Sequence, residues 1–298
     1  MSSRQGIPDF RASALRAQAA LGIEAAHKLL DAGRAWDLAP VLRAGGALIF
    51  PHVSLTVCGH HLAAAIHACL DAGVKKVLAV GVLHALNDDL QAARVRVAGG
   101  GEVRVEPAWG IQGPGLDAGR QDWRNEFSML NFEYLWRLEC ARRGIAGPEL
   151  ILRFPYLAGG RPHILPGIAE LQALVAEGAA VVGTADPFHH GLAYNDPPER
   201  ALPAEEGGLA LARMRIEEGL GLLRAGDYWG YNQHCVDAKS DARDVGQVIR
   251  YLLGPLQGEI HDLLWEDMSG PYGKPAPSWV SGALISLARV ARRSGDLA

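Results

Sequence analysis

Ala47-Leu48-Ile49-Phe50-Pro51-His52-Val53-Ser54-Leu55-Thr56-Val57-Cys58-Gly59 is a short apolar run stopped by a proline. A histidine follows at once, and a glycine then opens an alanine-rich segment. The run reads as a buried strand, and the residues after it as a loop and a helix. The same order recurs twice. Val77-Leu78-Ala79-Val80-Gly81-Val82 leads into Leu83-His84, and Ala180-Val181-Val182-Gly183-Thr184 leads into Asp186-Pro187-Phe188-His189-His190-Gly191. Strands that alternate with helices predict an α/β fold with a mostly parallel central sheet covered by helices on both faces. In such sheets ligands bind at the carboxyl ends of strands, where all three histidine-bearing loops fall.

Working outward, residues 9–31 read as one helix capped by Asp9 and ended by Gly33. A helix over about 59–72 precedes a strand at 76–82. Arg94-Val95-Arg96-Val97 and Val103-Arg104-Val105 flank Gly99-Gly100-Gly101, and their alternation predicts a β-hairpin. Residues 107–120 read as a long loop, 123–143 as a helix, 149–154 as a strand, and 166–177 as a helix. After the strand 179–184 come a loop over 186–200, a helix over 203–224, and a helix or tight loop over 228–235. A helix over 240–253 capped by Ser240 and closing strands at 259–266 and 278–287 complete the chain. With no repeat, proline-rich linker or composition break, residues 1–298 read as a single α/β domain, with 1–40 a helical extension on a core at 41–290.

The chain has 298 residues, 49% hydrophobic and 21% charged, which is enough apolar content for a core and argues against disorder. A net charge of −4 gives no support to nucleic acid or an anionic membrane as partner. No apolar stretch approaches the ~18 residues of a membrane span, and residues 1–10 lack a signal core. The expected location is the cytoplasm. Cys58, Cys69, Cys140 and Cys235 are widely spaced without a C-x-x-C pair, so thiols are expected rather than a zinc ribbon or a disulfide. No G-x-G-x-x-G follows the first strand, and neither a phosphate-binding P-loop nor a G-x-S-x-G elbow is present.

The chemistry-bearing candidates are His52, His84 and His189 at the three strand ends. Any one of them alone is better explained as a partly buried histidine bonded to a backbone carbonyl. Three together suit a metal or an acid/base site, because imidazole ligates iron, copper and zinc and moves protons near neutral pH. His190 competes with His189. Asp186, three residues before His189, either orients an imidazole or caps its loop. Cys235 is a further candidate ligand, although nothing in the spacing selects it over the other thiols. His60 and His67 share a helix face but lack the i, i+4 spacing of a helical zinc pair.

These residues resemble a known family. Phe50-Pro51-His52 with Thr56-Val57-Cys58-Gly59 is similar to the Pro-His…Tyr-Cys-Gly signature of the MEMO-like proteins, which are related in fold to class III (LigB-type) extradiol dioxygenases. Gly81 and His84 resemble that family's Gly-Pro-Ser-His-His turn, and Asp186-Pro187-Phe188-His189-His190-Gly191 its Asp-Phe-Cys-His-Trp-Gly loop. The latter match puts His189, not His190, in the functional position. Cys235 falls where the family has a late site-lining cysteine. The resemblance runs over roughly residues 40 to 290 and implies a three-layer α/β sandwich, a metal on His52, His84 and Cys235, and His189 beside it as acid/base. In the dioxygenase relatives Fe(II) sits on two histidines and a carboxylate; here a thiol would replace the carboxylate. The chain departs from the family at Glu126-Phe127-Ser128-Met129-Leu130-Asn131-Phe132, where Glu-His-Ser-Ile-Glu-x-His is usual, and at Ala85, where a second histidine is usual. Its pocket is therefore expected to be more apolar, with Phe127, Phe132, Trp123 and Tyr194 as candidates for its walls, although aromatics on a helix more often fill the core.

The expected activity is that of a metal-dependent oxidoreductase, a non-haem Fe(II) dioxygenase-like enzyme for a small organic substrate. Copper and zinc are the other metals that suit such ligands. The alternatives are a Zn-dependent hydrolase on the same ligands and a non-enzymatic binding or signalling module. Expected partners are a small molecule and O2, with a homo-oligomer allowed and neither nucleic acid nor membrane among them.

Overall fold

A computed structural model describes residues 9–84, 87–101, 109–116 and 122–290. In chain order its elements are α1 (Phe10–Leu21), α2 (Ile23–Ala32), α3 (Ala39–Arg43), β1 (Ala47–Phe50), α4 (Leu55–Asp71), β2 (Lys76–Val80), α5 (Asp88–Ala98), β3 (Gly110–Gln112) and α6 (Leu130–Arg143). Next come β4 (Glu149–Tyr156), α7 (Ile168–Ala176), β5 (Ala180–Thr184), β6 (Phe188–Gly191), α8 (Leu209–Ala225) and α9 (Tyr228–Asp237). The last are α10 (Arg243–Leu253), β7 (Leu256–Asp267), α11 (Ser269–Tyr272) and β8 (Ser278–Arg289).

The sheet order is β3-β4-β2-β5-β1-β8-β6, with β7 paired to β8. β4, β2, β5 and β1 are mutually parallel, whereas β8 runs antiparallel to β1, β6 and β7 antiparallel to β8, and β3 antiparallel to β4. Among the described residues, six of the eight strands thus point one way, in a mixed sheet. Alternate residues of the central strands enter two different cores, as strand geometry requires. Leu48, Phe50, Val77, Ala79 and Val182 pack with α2, α4 and α6. Ala47, Ile49, Leu78, Val80 and Val181 pack with α7 and α10. Among the described residues no helix is long and apolar enough to cross a membrane.

Several elements differ from the sequence reading, each for a local reason. The helix expected over 9–31 breaks at Gly22, whose φ of +72° and ψ of 156° are open mainly to glycine. Asp9 does cap α1, accepting from Ala12 N at 2.9 Å. α2 buries Ala26 and Leu30 in the same core as α4. The first arm of the expected hairpin is helical. Asn87 caps α5, Asp88 and Asp89 occupy its first turn, and Leu90, Ala93 and Val97 are buried at helical spacing while Val95 is 60% exposed. The alternation of Arg94 to Val97 is thus incidental to a helical stripe. The second arm, 103–105, lies outside the described residues, as do the two ends of the expected loop over 107–120; between them is β3. The loop expected over 186–200 contributes β6, which pairs with β8. The helix expected over 203–224 starts with an irregular turn at Ala204–Gly208, in which Gly207 has φ +99°.

The core makes a plain stability prediction. Phe132 and Phe50 are both fully buried, stacked at 4.6 Å with an interplanar angle of 9°. Phe132→Ala should cost about 3–5 kcal/mol, measured as a lower urea midpoint, and Phe132→Leu clearly less. Equal costs would mean that refilling the volume recovers nothing and that the loss belongs to the ring contact itself.

Candidate metal centre

β5 lies between β2 and β1, so the loops that leave these three strands emerge side by side. Asp186 follows β5, and its Oδ1 accepts the backbone N–H of His52 at 3.0 Å, fixing the turn after Pro51. The His52 ring is then oriented by Thr184. The Thr184 hydroxyl donates to Phe50 O at 2.9 Å and therefore accepts from His52 Nδ1–H, 3.0 Å away. That network assigns the proton to Nδ1. Nε2 is left facing Asp241 Oδ2 at 3.1 Å and Asp186 Oδ2 at 3.5 Å.

His84 is held by the same logic. The chain after β2 crosses the Phe154 ring at Gly81, where any Cβ would collide with the ring. Glu126 then grips His84 twice, accepting from its backbone N at 2.7 Å and from ring Nδ1 at 2.9 Å. The same carboxylate accepts from Phe127 N and Ser128 N at 2.7 and 3.0 Å. These bonds explain why no continuous helix spans 123–143: Glu126 captures the amides that a helix would need, and α6 starts only at Leu130. His84 Nε2 stands 3.7 Å from Asp241 Oδ2.

Asp241 is the point on which the two rings converge. The helix expected from Ser240 begins at Arg243 instead. Lys239 takes a left-handed φ of +54°, turning the chain so that Asp241 faces the histidines. Asp241 Oδ1 accepts from Asp186 N at 2.7 Å, which leaves Oδ2 for the rings. His52, His84 and Asp241 thus offer one ligand atom each, all within 4.8 Å of one another. No protein-family model matches this chain. No curated protein is significantly similar to it either.

The electrostatics explain the geometry. Two rings whose Nδ1–H groups are already committed point bare Nε2 atoms at one carboxylate. That contact is repulsive unless each Nε2 carries a proton or shares a cation. Accordingly, although burial opposes charge on His84, Glu126 and Asp241 raise its pKa to about 10. Burial likewise opposes charge on His52, but Asp186 and Asp241 raise its pKa overall. Against its own burial, Asp241 is held far below the usual carboxylate range by both histidines. Asp186 goes the other way, pushed up to about 7 by burial and by the charge of Asp241, with His52 opposing. A divalent cation at the convergence would replace the two Nε2 protons, and the donor set of two imidazoles and a carboxylate suits one.

Cys235 is not in this group. It lines the same cavity, but its thiol hydrogen-bonds with Tyr231 and Ser240, and burial raises its pKa to about 12. A thiol that keeps its proton is a poor ligand beside an ionised carboxylate. The third place expected for Cys235 is therefore taken by Asp241. Cys235→Ala should accordingly leave metal affinity within about twofold of wild type in a chelator competition; a loss as large as that of a supporting residue, ~10-fold or more, would return the thiol to the centre.

The cavity measures about 760 Å³ and has the three convergent residues, Asp186, Phe127, His189 and Tyr194 on its wall. Phe127 stacks on His84 at 4.4 Å and meets His52 edge-on at 6.0 Å. Phe10 of α1 stacks on Phe127 in turn, at 5.4 Å. His189 and His190 diverge as neighbours on a strand must. His189 faces the cavity with Nδ1 buried and unpartnered, its ring against Tyr194 at 4.9 Å. Burial lowers its pKa to about 4, so it is neutral at pH 7. His190 is occupied elsewhere, donating to Asp196 at 2.9 Å and accepting from Leu202 N at 3.0 Å. Asp186 orients His52 through the backbone rather than acting on His189.

His60, His61 and Asp262 form a second group, with His61 Nε2 2.9 Å from Asp262 Oδ2. It fits a metal less well. A metal on His61 Nε2 would drive the ring proton to Nδ1, which is buried without an acceptor. A neutral ring donating from Nε2 to Asp262 leaves only a bare lone pair, and burial lowers the His61 pKa to about 4, consistent with that neutral form.

Proposed function

We propose that the chain is a metal-dependent oxidoreductase of the non-haem Fe(II), dioxygenase-like kind, acting on a small organic substrate with O2 in the cytoplasm. The observation that carries this reading is the convergence of His52 Nε2 and His84 Nε2 on Asp241 Oδ2. Two histidines and one carboxylate with open positions is the donor set of non-haem Fe(II) oxygenases. The two cores on alternate strand residues support a three-layer sandwich, and the strand-end site supports the likeness to MEMO-like and LigB-type proteins.

His52, His84 and Asp241 would hold the iron; Thr184 and Glu126 fix the two ring tautomers so that each Nε2 ligates. When bound there, Fe(II) supplies one-electron chemistry toward O2 and a chelating substrate. Phe127 excludes water from one side of the two imidazoles. His189, neutral and on the cavity wall, accepts a proton from the substrate and returns it to the product.

The reading is tested by oxygen uptake with iron-loaded protein over a panel of small organic substrates. His189→Ala should retain iron and lose roughly 10²–10⁴-fold in turnover. Turnover that proceeds without O2 and prefers zinc would instead mark a hydrolase, and full turnover by His189→Ala would remove that residue from the chemistry.

A further inference from the structure

The cavity has a second polar end. Arg243, the first residue of α10, is on its wall near Cys235. This residue is only 4% exposed, yet its Nη2 is buried with no hydrogen-bond partner. The adjacent acid, Asp244, acts on it through its charge but not at ion-pair distance: its oxygens accept from Leu157 N at 3.2 Å and Ala158 N at 2.8 Å, and among the described residues no ion pair reaches Arg243. Arg94 of α5 is on the wall of the same cavity, close enough for its charge to act on both Arg243 and His189. Exposed Arg16 of α1 also reaches the cavity wall, while three other ionised groups there have local uses. Lys239 pairs with Asp196, Glu266 accepts from Ser54 N at 2.7 Å, and Asp9 caps α1.

A buried guanidinium without a partner is costly, and a second cation beside it raises that cost. An anion between them removes it. We propose that Arg243 and Arg94 form a subsite for the carboxylate of a small, otherwise apolar acid, whose far end reaches the His52, His84 and Asp241 group. A guanidinium edge matches the planar fork of a carboxylate, whereas these two side chains are few donors for a phosphate dianion. For the role of the far end the proposal rests on the metal-centre reading; the anion subsite itself does not require a metal.

The test uses hexanoate and its neutral isostere hexanamide, titrated calorimetrically into the full chain, metal-free and Fe(II)-loaded, under argon. Wild type should prefer hexanoate by about tenfold or more in both states, a factor expected of one charge-assisted hydrogen bond. Arg243→Gln and Arg94→Gln should each erase most of that preference. If Arg243→Gln does not fold, Arg94→Gln on the partly exposed face of α5 decides. Equal binding of the two probes by wild type overturns the subsite. So does a preference that survives in Arg94→Gln and appears only with metal, which would put the carboxylate on the metal. Arginine-dependent preference in metal-free protein upholds the subsite even if the chain never takes up iron, so the two readings fail separately.

Discussion

Asp241→Asn is expected to weaken Fe(II) binding by more than about a hundredfold, beyond the ~10–100-fold that a supporting residue costs, and to abolish turnover. Asparagine keeps an oxygen for the Asp186 N–H, so the loop between Ala238 and Arg243 retains its anchor. What disappears is the negative charge at Oδ2, on which His52 and His84 converge at 3.1 and 3.7 Å. The same substitution separates the ligand from its supports. Glu126→Gln still offers an acceptor to His84 but no charge, so its loss of affinity should stay within the supporting range. Competition against a chromophoric chelator under argon measures both. Wild-type affinity in Asp241→Asn would remove the carboxylate from the centre.

In metal-free protein, stability should fall as pH rises from about 7 to 9. The sign is set by His84. Its folded pKa, about 10, lies above its ordinary 6.5, so its contribution is complete below about 6.5 and is lost as pH climbs toward 10. His52 acts in the same direction. Asp186, raised to about 7, loses its contribution between its ordinary 3.8 and about 7 and adds little above that. His61 and His189, lowered to about 4, act oppositely but only below 6.5, where burial of a neutral ring is penalised by protonation. Just above pH 7 the slope therefore belongs to the two converging histidines, and for His84 it amounts to on the order of 2–3 kcal/mol by pH 9. Nearer pH 9 the buried thiols Cys58, Cys69 and Cys235, raised by burial above their ordinary 9.0, add to it with the same sign. A metal ion takes the place of the Nε2 protons, so its stabilising effect should grow over the same window. Urea midpoints at pH 6.5, 7.5 and 9, with and without Fe(II), measure this. Glu126→Gln should flatten the metal-free slope. A metal-free midpoint that is level or rising between pH 7 and 9 would contradict the assigned charges.

Three short apolar runs ending in histidine-bearing loops were legible as the parallel centre of the sheet, because strands buried on both faces read as continuous apolar segments. The meeting of His52 and His84 came from their placement at the ends of β1 and β2, which flank β5 in the sheet. The carboxylates were less legible. Asp241 and Glu126 both sit near helix starts, where an acid is ordinarily a cap, and only the backbone turns at Lys239 and Phe127 send them inward. Cys235 had the attraction of a late cysteine in a familiar order, but its sulfur is held by Tyr231 and Ser240. Arg94 to Val97 alternates like a strand over so few residues that the helical stripe Leu90, Ala93 and Val97 is visible only in a longer window.

The most direct measurement is the metal content of protein purified without air, wild type beside His52→Ala and Cys235→Ala. The proposed function predicts near-stoichiometric iron in the wild type, its loss in His52→Ala, and its retention in Cys235→Ala. No metal in the wild type even after reconstitution, or iron retained by His52→Ala and lost from Cys235→Ala, would contradict a centre built on His52, His84 and Asp241.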